Sequence, residues 1–136
     1  MPQLRQNIAP KEWVIIATER AKRPEDFTKK EKNIQEPLPE YSPKCHFCPG
    51  NEQFAPVETF SIRKNNQWVV RVVPNKFPAL IPKGDVSFHH EGIKHSMNGV
   101  GIHEVIIETP KHNLLLSLMS YEQVINIVST YKNWMT

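Results

Sequence analysis

Cys45-His46-Phe47-Cys48 contains the only two cysteines of the chain, spaced as a metal clip. Two residues between thiols let both sulfurs face one ion from a tight turn, and Pro49-Gly50 directly after supplies turn residues. Such a pair is half of a tetrahedral site, so further ligands must come from elsewhere in the chain. A disulfide between residues this close would close only a trivial loop, and a redox pair would be expected in a βαβ context that this stretch lacks. Of the six histidines, His89, His90 and His95 fall in a polar stretch and read as solvated loop residues, and His46 points outward from within the clip. His103 opens an apolar run and His112 follows Pro110-Lys111 at its exit, so both remain candidates for a third ligand.

Two other clusters suit an anionic ligand. Arg20-Ala21-Lys22-Arg23 places three cations directly after an apolar run and is stopped by Pro24. Guanidinium groups match phosphate oxygens in fork geometry, and loops leaving a strand end often face ligands. Asn75-Lys76-Phe77, held between Pro74 and Pro78, presents an amide, a cation and an aromatic from a stiff loop. An amide can read a sugar hydroxyl or a base edge, and an aromatic can stack on a ring. Taken alone, each cluster also fits a plainer role, a solvated charged face in the first case and a proline-bounded turn in the second.

These residues need elements to position them. Glu12 to Thr18 is β-branched and apolar and predicts a buried strand. Glu19 to Pro24 reads as a basic loop, and residues 25–44, charged and proline-rich, read as a surface excursion. Glu58 to Ile62 and Gln67 to Val73 predict a hairpin around Lys64-Asn65-Asn66. The prolines of Val73 to Pro78 end that run, because they remove ladder donors. Pro82 to Gly101 reads as a loop, and His103 to Glu108 as a third core strand ended by Pro110. Ser120 and Gln123 form a capping-box pattern before Val124, Ile127, Val128, Tyr131 and Trp134 at helical spacing. No glycine cap or trailing proline closes that helix before Thr136.

The chain's 136 residues suit one modest domain, with twelve prolines against five glycines pointing to stiff connections. A formal charge of +3 fits an anionic small molecule better than nucleic acid, for which a basic stripe with interleaved aromatics is expected. No apolar run approaches the ~18 residues of a membrane span and no secretory signal pattern opens the chain. With two closely spaced cysteines, a reducing compartment, the cytoplasm, is expected.

Four motifs in order, E-W-V-I-I-A-T-E-R-A-K-R-P, C-H-F-C-P-G-N-E, R-V-V-P-N-K-F-P-A-L and G-I-H-E-V-I-I-E-T-P-K-H-N, resemble the galactose-1-phosphate uridylyltransferase family of the histidine-triad superfamily. The resemblance implies an α+β fold, a histidine-triad-like half-domain whose incomplete antiparallel sheet carries a C-terminal helix packed on it. Residues 1–136 would be the N-terminal part of the first half-domain, the rest of it and a second half-domain lying beyond. It implies structural zinc held by Cys45, Cys48 and His112. Arg20, Ala21, Lys22 and Arg23 would contact the nucleotide sugar, the arginines facing its diphosphate. Asn75 and Lys76 would line the nucleoside pocket, with Phe77 near the base or ribose.

The implied reaction exchanges UMP between UDP-glucose and galactose 1-phosphate through a covalent nucleotidyl-histidine, and a homodimer is a further expectation. An ADP-sugar adenylyltransferase or phosphorylase of the same fold is the alternative. A non-catalytic zinc-stabilised binding module and a degenerate relative that binds nucleotide sugars without turnover are the others. In the family the nucleophile lies in a His-Pro-His segment, whose first histidine is the expected fourth zinc ligand. This sequence has no His-Pro-His, so the chain alone is expected to be catalytically silent.

Overall fold

Asn65 and Asn66 both adopt the left-handed backbone, with φ of 51° and 64°. That is the geometry of a two-residue type I′ loop, whose twist matches the strands it joins. It closes the hairpin of β3 (Phe60–Lys64) and β4 (Gln67–Pro74), in register through Lys64 opposite Gln67, with an irregularity between Ile62 and Arg63. The computed structural model describes residues 1–22 and 37–135. The chain forms two units, Met1–Thr28 with Asn75–Glu104, and Lys29–Pro74 with Val105–Thr136.

The second unit is built on β4. Trp68, Val70, Val72 and Val73 are all buried, as befits a central strand covered on both faces. β7 (Glu104–Ile107) lies on the other side of β4 from β3, giving a three-stranded sheet. α1 (Tyr121–Met135) packs on β4 and buries Ile127 completely. Each such aliphatic side chain contributes about 1.5–3 kcal/mol by leaving water. Ser120 caps the helix, its hydroxyl accepting the Gln123 amide at 3.3 Å. The reciprocal half of the capping box is replaced: the Gln123 side chain donates instead to the carbonyls of Val69 and Glu108, stitching helix to sheet. Farther along, the Tyr131 hydroxyl donates to the Glu108 carboxylate, and that bond, burial and the negative charge push the phenol up to about 12. Arg71 is buried, and Glu58, which holds it at 3.0 Å, also binds Arg63. Burial would raise the Glu58 carboxyl, but the guanidinium of Arg63, the Ser61 hydroxyl and Arg71 outweigh it and hold it below the usual range.

The first unit is a four-stranded antiparallel sheet in the order β2-β1-β6-β5, made of β1 (Gln3–Gln6), β2 (Trp13–Ile16), β5 (Phe88–Glu91) and β6 (Lys94–Asn98). Three expectations need correction here. The run at Glu12 to Thr18 is a strand but not a buried one: it lies at the sheet edge, with Trp13 39% and Ile15 47% exposed. The Glu19 to Pro24 loop opens as a 3-10 turn at Thr18–Lys22. Residues Phe88 to Asn98, expected as loop, form a hairpin in which Gly92, at φ 58°, takes the first central position of a two-residue turn. Both strands are polar, β5 exposed throughout and β6 half-buried beyond Lys94, so the alternation that marks a half-buried strand is missing. The histidines of that stretch are therefore strand residues, and His90 and His95 face each other across the hairpin with Nδ1 atoms 3.0 Å apart.

Gly99 follows β6 and donates its amide to the Pro2 carbonyl at 2.8 Å. A Cβ there would lie 2.8 Å from the Pro2 backbone, so only glycine permits the approach.

The α+β class and the helix packed on an antiparallel sheet stand as expected, with two sheets in place of one. Within the expected excursion, residues 37–44 carry no strand or helix and are mostly exposed, while residues 25–36 lie outside the described residues. No helix among the described residues is long and apolar enough to cross a membrane.

Candidate functional site

The second unit brings Cys45, Cys48 and His112 together, their ligand atoms all within 4.8 Å of one another. The local sequence explains how. A turn runs from Cys45 to Asn51, with Cys48 donating its amide to the Cys45 carbonyl and Asn51 to the Cys48 carbonyl. Gly50 sits at φ 86°, a conformation that glycine adopts without penalty. The backbone amides of Ser42 and Phe47 each donate to a cysteine sulfur, Cys48 and Cys45 respectively, at 3.4 Å. N–H groups aimed at sulfur favour the thiolate, the form that binds metal.

Asn51 is the organiser that sequence reasoning did not single out. It is only 6% exposed, and its amide nitrogen donates to the carbonyls of Ser42, Pro43 and Cys45 at 2.8–3.3 Å. Next to it, Glu52 accepts the Trp68 indole N–H at 3.0 Å and so ties the turn to the core. Burial would raise the Glu52 carboxyl, yet the indole, backbone amides and Arg71 bring it below the usual range. The signal was present as the Pro-Gly-Asn-Glu tail of the cysteine motif.

His112 arrives from β7 through Pro110. Its amide donates to the Glu40 carbonyl at 2.8 Å, Lys111 pairs with the Glu40 carboxylate, and Asn113 donates to the Leu38 carbonyl. Its Nδ1 then lies 3.5 Å from Cys48 Sγ. Burial pushes the Cys48 thiol up, opposed by the Ser42 amide and reinforced by Cys45. A cation would reverse that balance, since metal binding expels the thiol proton. Two soft sulfurs and an imidazole, pre-aimed by N–H groups, suit a divalent ion such as zinc. The three residues could hold one.

In the first unit, Arg20, Lys76 and Phe77 line one cavity of about 340 Å³, together with Pro2, Ala17 and Pro78. Arg20 comes from the 3-10 turn that also contains Ala21 and Lys22, while Arg23 lies outside the described residues. Lys76 is exposed, whereas Asn75 and Phe77 are half-buried. Asn75 turns to His103, its Nδ2 lying 3.2 Å from His103 Nε2, and its Oδ1 accepts the Phe77 amide at 2.9 Å. His103 was, with His112, a candidate third metal ligand, and it does not join the cysteines. Instead it pins the loop: its carbonyl takes the Asn75 amide and its Nδ1 the Ala79 amide. Burial first, and then the charge of Arg20, lowers its pKa below the usual histidine value. A mostly apolar cavity with two cations, Arg20 and Lys76, one carboxylate residue, Glu19, and an aromatic wall can take a phosphorylated ligand with a ring.

Comparison with known proteins identifies the family. Residues 1–136 match the family described as galactose-1-phosphate uridyl transferase, N-terminal domain. An ADP-glucose phosphorylase of Arabidopsis thaliana is 36% identical over 96% of this chain and 37% of its own length. A galactose-1-phosphate uridylyltransferase of Schizosaccharomyces pombe is 31% identical over 89% of this chain and 34% of its own. A crystal structure of an ADP-glucose phosphorylase from Arabidopsis thaliana with bound ADP-glucose superposes with a TM-score of 0.54 at 29% identity, covering 99% of this chain and 37% of that one. The chain thus spans about a third of the length of these relatives. With the match running over every residue, the chain belongs to the galactose-1-phosphate uridyl transferase family, in its N-terminal domain.

Proposed function

We propose that this chain is the nucleotide-sugar-binding portion of a nucleotidyltransferase that exchanges UMP between UDP-glucose and galactose 1-phosphate. The observation that carries the reading is the convergence of Arg20, Lys76 and Phe77 on one cavity. The cations offset phosphate charge, Phe77 meets the base or ribose, and Asn75 supplies polar recognition from the same loop. By the family resemblance, Arg23 would add a second guanidinium for the diphosphate and Lys22 a further contact to the nucleotide sugar. Cys45, Cys48 and His112 hold a structural zinc, which closes the turn that carries Asn51 and takes no part in bond-making.

The bond-making step of this reading passes through a nucleotidyl-histidine. An imidazole displaces glucose 1-phosphate from the α-phosphorus, and the second sugar phosphate then displaces the imidazole. Splitting one displacement between two anions into two at a neutral nucleophile lowers each barrier. Cationic side chains stabilise the charge on the non-bridging oxygens. No His-Pro-His is present in these residues, so the role assigned to this chain is binding and charge stabilisation.

The second reading, transfer of AMP from ADP-glucose, is favoured by the 36% identity to an ADP-glucose phosphorylase and by the ADP-glucose bound in the superposed relative. Calorimetric titration of the protein with UDP-glucose, ADP-glucose, UDP and ADP decides between the two. Arg20→Ala is expected to weaken the preferred ligand about tenfold, the worth of one charge-assisted hydrogen bond, without changing the melting temperature. Affinity unaltered by that substitution removes the basic turn from the site. Salt-sensitive binding to oligonucleotides in place of nucleotide sugars would instead establish the binding-module reading.

A further inference from the structure

The hydrogen bonds around His103 do not balance. Two backbone amides and two side chains meet there. Ala79 N–H donates to His103 Nδ1 at 2.8 Å, and Phe77 N–H donates to Asn75 Oδ1 at 2.9 Å. Backbone amides can only donate, so Nδ1 is bare and the proton of a neutral ring sits on Nε2. The Asn75 amide is oriented by the same reasoning, with its NH₂ away from Phe77. Nε2–H and Nδ2–H₂ are then neighbours at 3.2 Å, and both are donors.

No internal rearrangement removes the conflict. Turning the Asn75 amide over sets NH₂ against the Phe77 amide. Moving the ring proton to Nδ1 sets it against Ala79. Protonating the ring does the same and is opposed by burial and by Arg20. Among the described residues, two acceptor atoms serve two backbone amides, and two side-chain donors are left against each other with no acceptor between them. Polar groups in a half-buried position need partners, so the place calls for an oxygen acceptor. The cavity is adjacent along the chain, since Lys76 and Phe77, which follow Asn75, both line it, as does Arg20.

We propose that Asn75 Nδ2 and His103 Nε2 form a two-donor subsite for an oxygen of the bound nucleotide sugar. This rests on the nucleotide-sugar reading above and adds His103 to the groups that touch the ligand. The acceptor is a carbonyl or hydroxyl oxygen of the nucleoside, or an oxygen of the diphosphate. In the first case uridine or adenosine suffices to engage the subsite; in the second the diphosphate is required.

The test uses the wild-type protein with ¹⁵N-labelled histidine, read by NMR. The ring of His103 is expected as the Nε2–H tautomer with a bare Nδ1. Its Nε2 resonance should move on addition of nucleoside, nucleoside diphosphate or nucleotide sugar, while Nδ1 stays in place. The first ligand in that series to shift it names the acceptor. An Nδ1–H tautomer overturns the proposal, and so does an Nε2 that is unmoved at saturating UDP- or ADP-glucose. Failure of the protein to bind any nucleotide sugar defeats the functional reading, a different outcome from binding with Nε2 still.

Two variants separate ligand contact from loop anchoring. His103→Asn keeps an acceptor near the Nδ1 position and lacks the far donor, so it should hold the melting temperature and lose about five- to tenfold in affinity. His103→Gln keeps a donor near Nε2 and lacks the near acceptor, so it should lose melting temperature and retain more affinity. The reverse pattern assigns His103 to loop anchoring alone and overturns the subsite.

Discussion

The two units of this chain are held by different means. Among the described residues, every buried aliphatic or aromatic side chain except Pro2 belongs to the second unit: Trp68, Val70, Val72, Val73, Ile107 and Ile127. The first unit buries Pro2 and Gly99 and leaves Trp13, Val14, Ile15 and Phe88 exposed on its sheet. Its Asn75–Phe77 loop is pinned by amides, an asparagine and a histidine. Apolar burial gives cooperative stability, whereas exposed sheet faces and single hydrogen bonds give elements that open at low cost. The metal-capable turn belongs to the stable unit, and the cavity beside Arg20 and Phe77 to the softer one.

The sharpest way to break this contrast is to delete equal volumes from each unit. Ile127→Ala should lower the stability to urea by about 3 kcal/mol, through lost transfer energy and a residual cavity. Ile15→Ala, at an exposed edge, should cost less than about 0.5 kcal/mol. Similar losses for both would refute the assignment of stability to the second unit.

A smaller effect is expected from the metal. Zinc at a hundredfold excess over its dissociation constant should stabilise the protein by about 2.7 kcal/mol. A chelator should therefore lower the melting temperature of the zinc-loaded protein and leave Cys48→Ser untouched. Equal responses of the two proteins would mean that Cys45, Cys48 and His112 do not share an ion.

The smallest effect is acid sensitivity of the first unit. His103 has a folded pKa below its ordinary value near 6.5. Between those two values the unfolded chain binds the proton and the folded chain does not, so stability rises with pH in that window. It should fall as the pH drops from about 6.5 through the lower folded value. His103→Asn should lack this component, and a difference curve between the two proteins that is flat across the window would count against it.

How much of this was legible in the sequence follows from where each signal resides. Cys45-x-x-Cys48 and the helix at residues 121–135 are local patterns, and the Asn65-Asn66 hairpin is turn chemistry, so all three could be read directly. His112 needed the family resemblance, because the residues alone did not separate it from His103. The β5–β6 hairpin was hidden because its strands are polar, β5 exposed and β6 evenly half-buried, which leaves no periodicity to detect. Glu12 to Thr18 misled in the opposite direction: a β-branched run signals a strand, and being a central one is a property of the neighbours it finds. Asn51 and His103 act through carbonyls and amides that the chain brings back from several residues away or more, and no spacing rule encodes that return.

The tight passage of Gly99 over Pro2 also bears on how the protein ages. Asn98-Gly99 is the dipeptide most prone to spontaneous deamidation, in which the glycine nitrogen attacks the asparagine side chain and ammonia departs. Here that nitrogen is engaged with the Pro2 carbonyl, and the Asn98 amide donates to the Asp85 carbonyl at 3.0 Å, so nucleophile and target are each tethered elsewhere. The crowding that demands glycine at residue 99 thus creates a chemically fragile bond and shields it, for as long as the N-terminal strand stays in place.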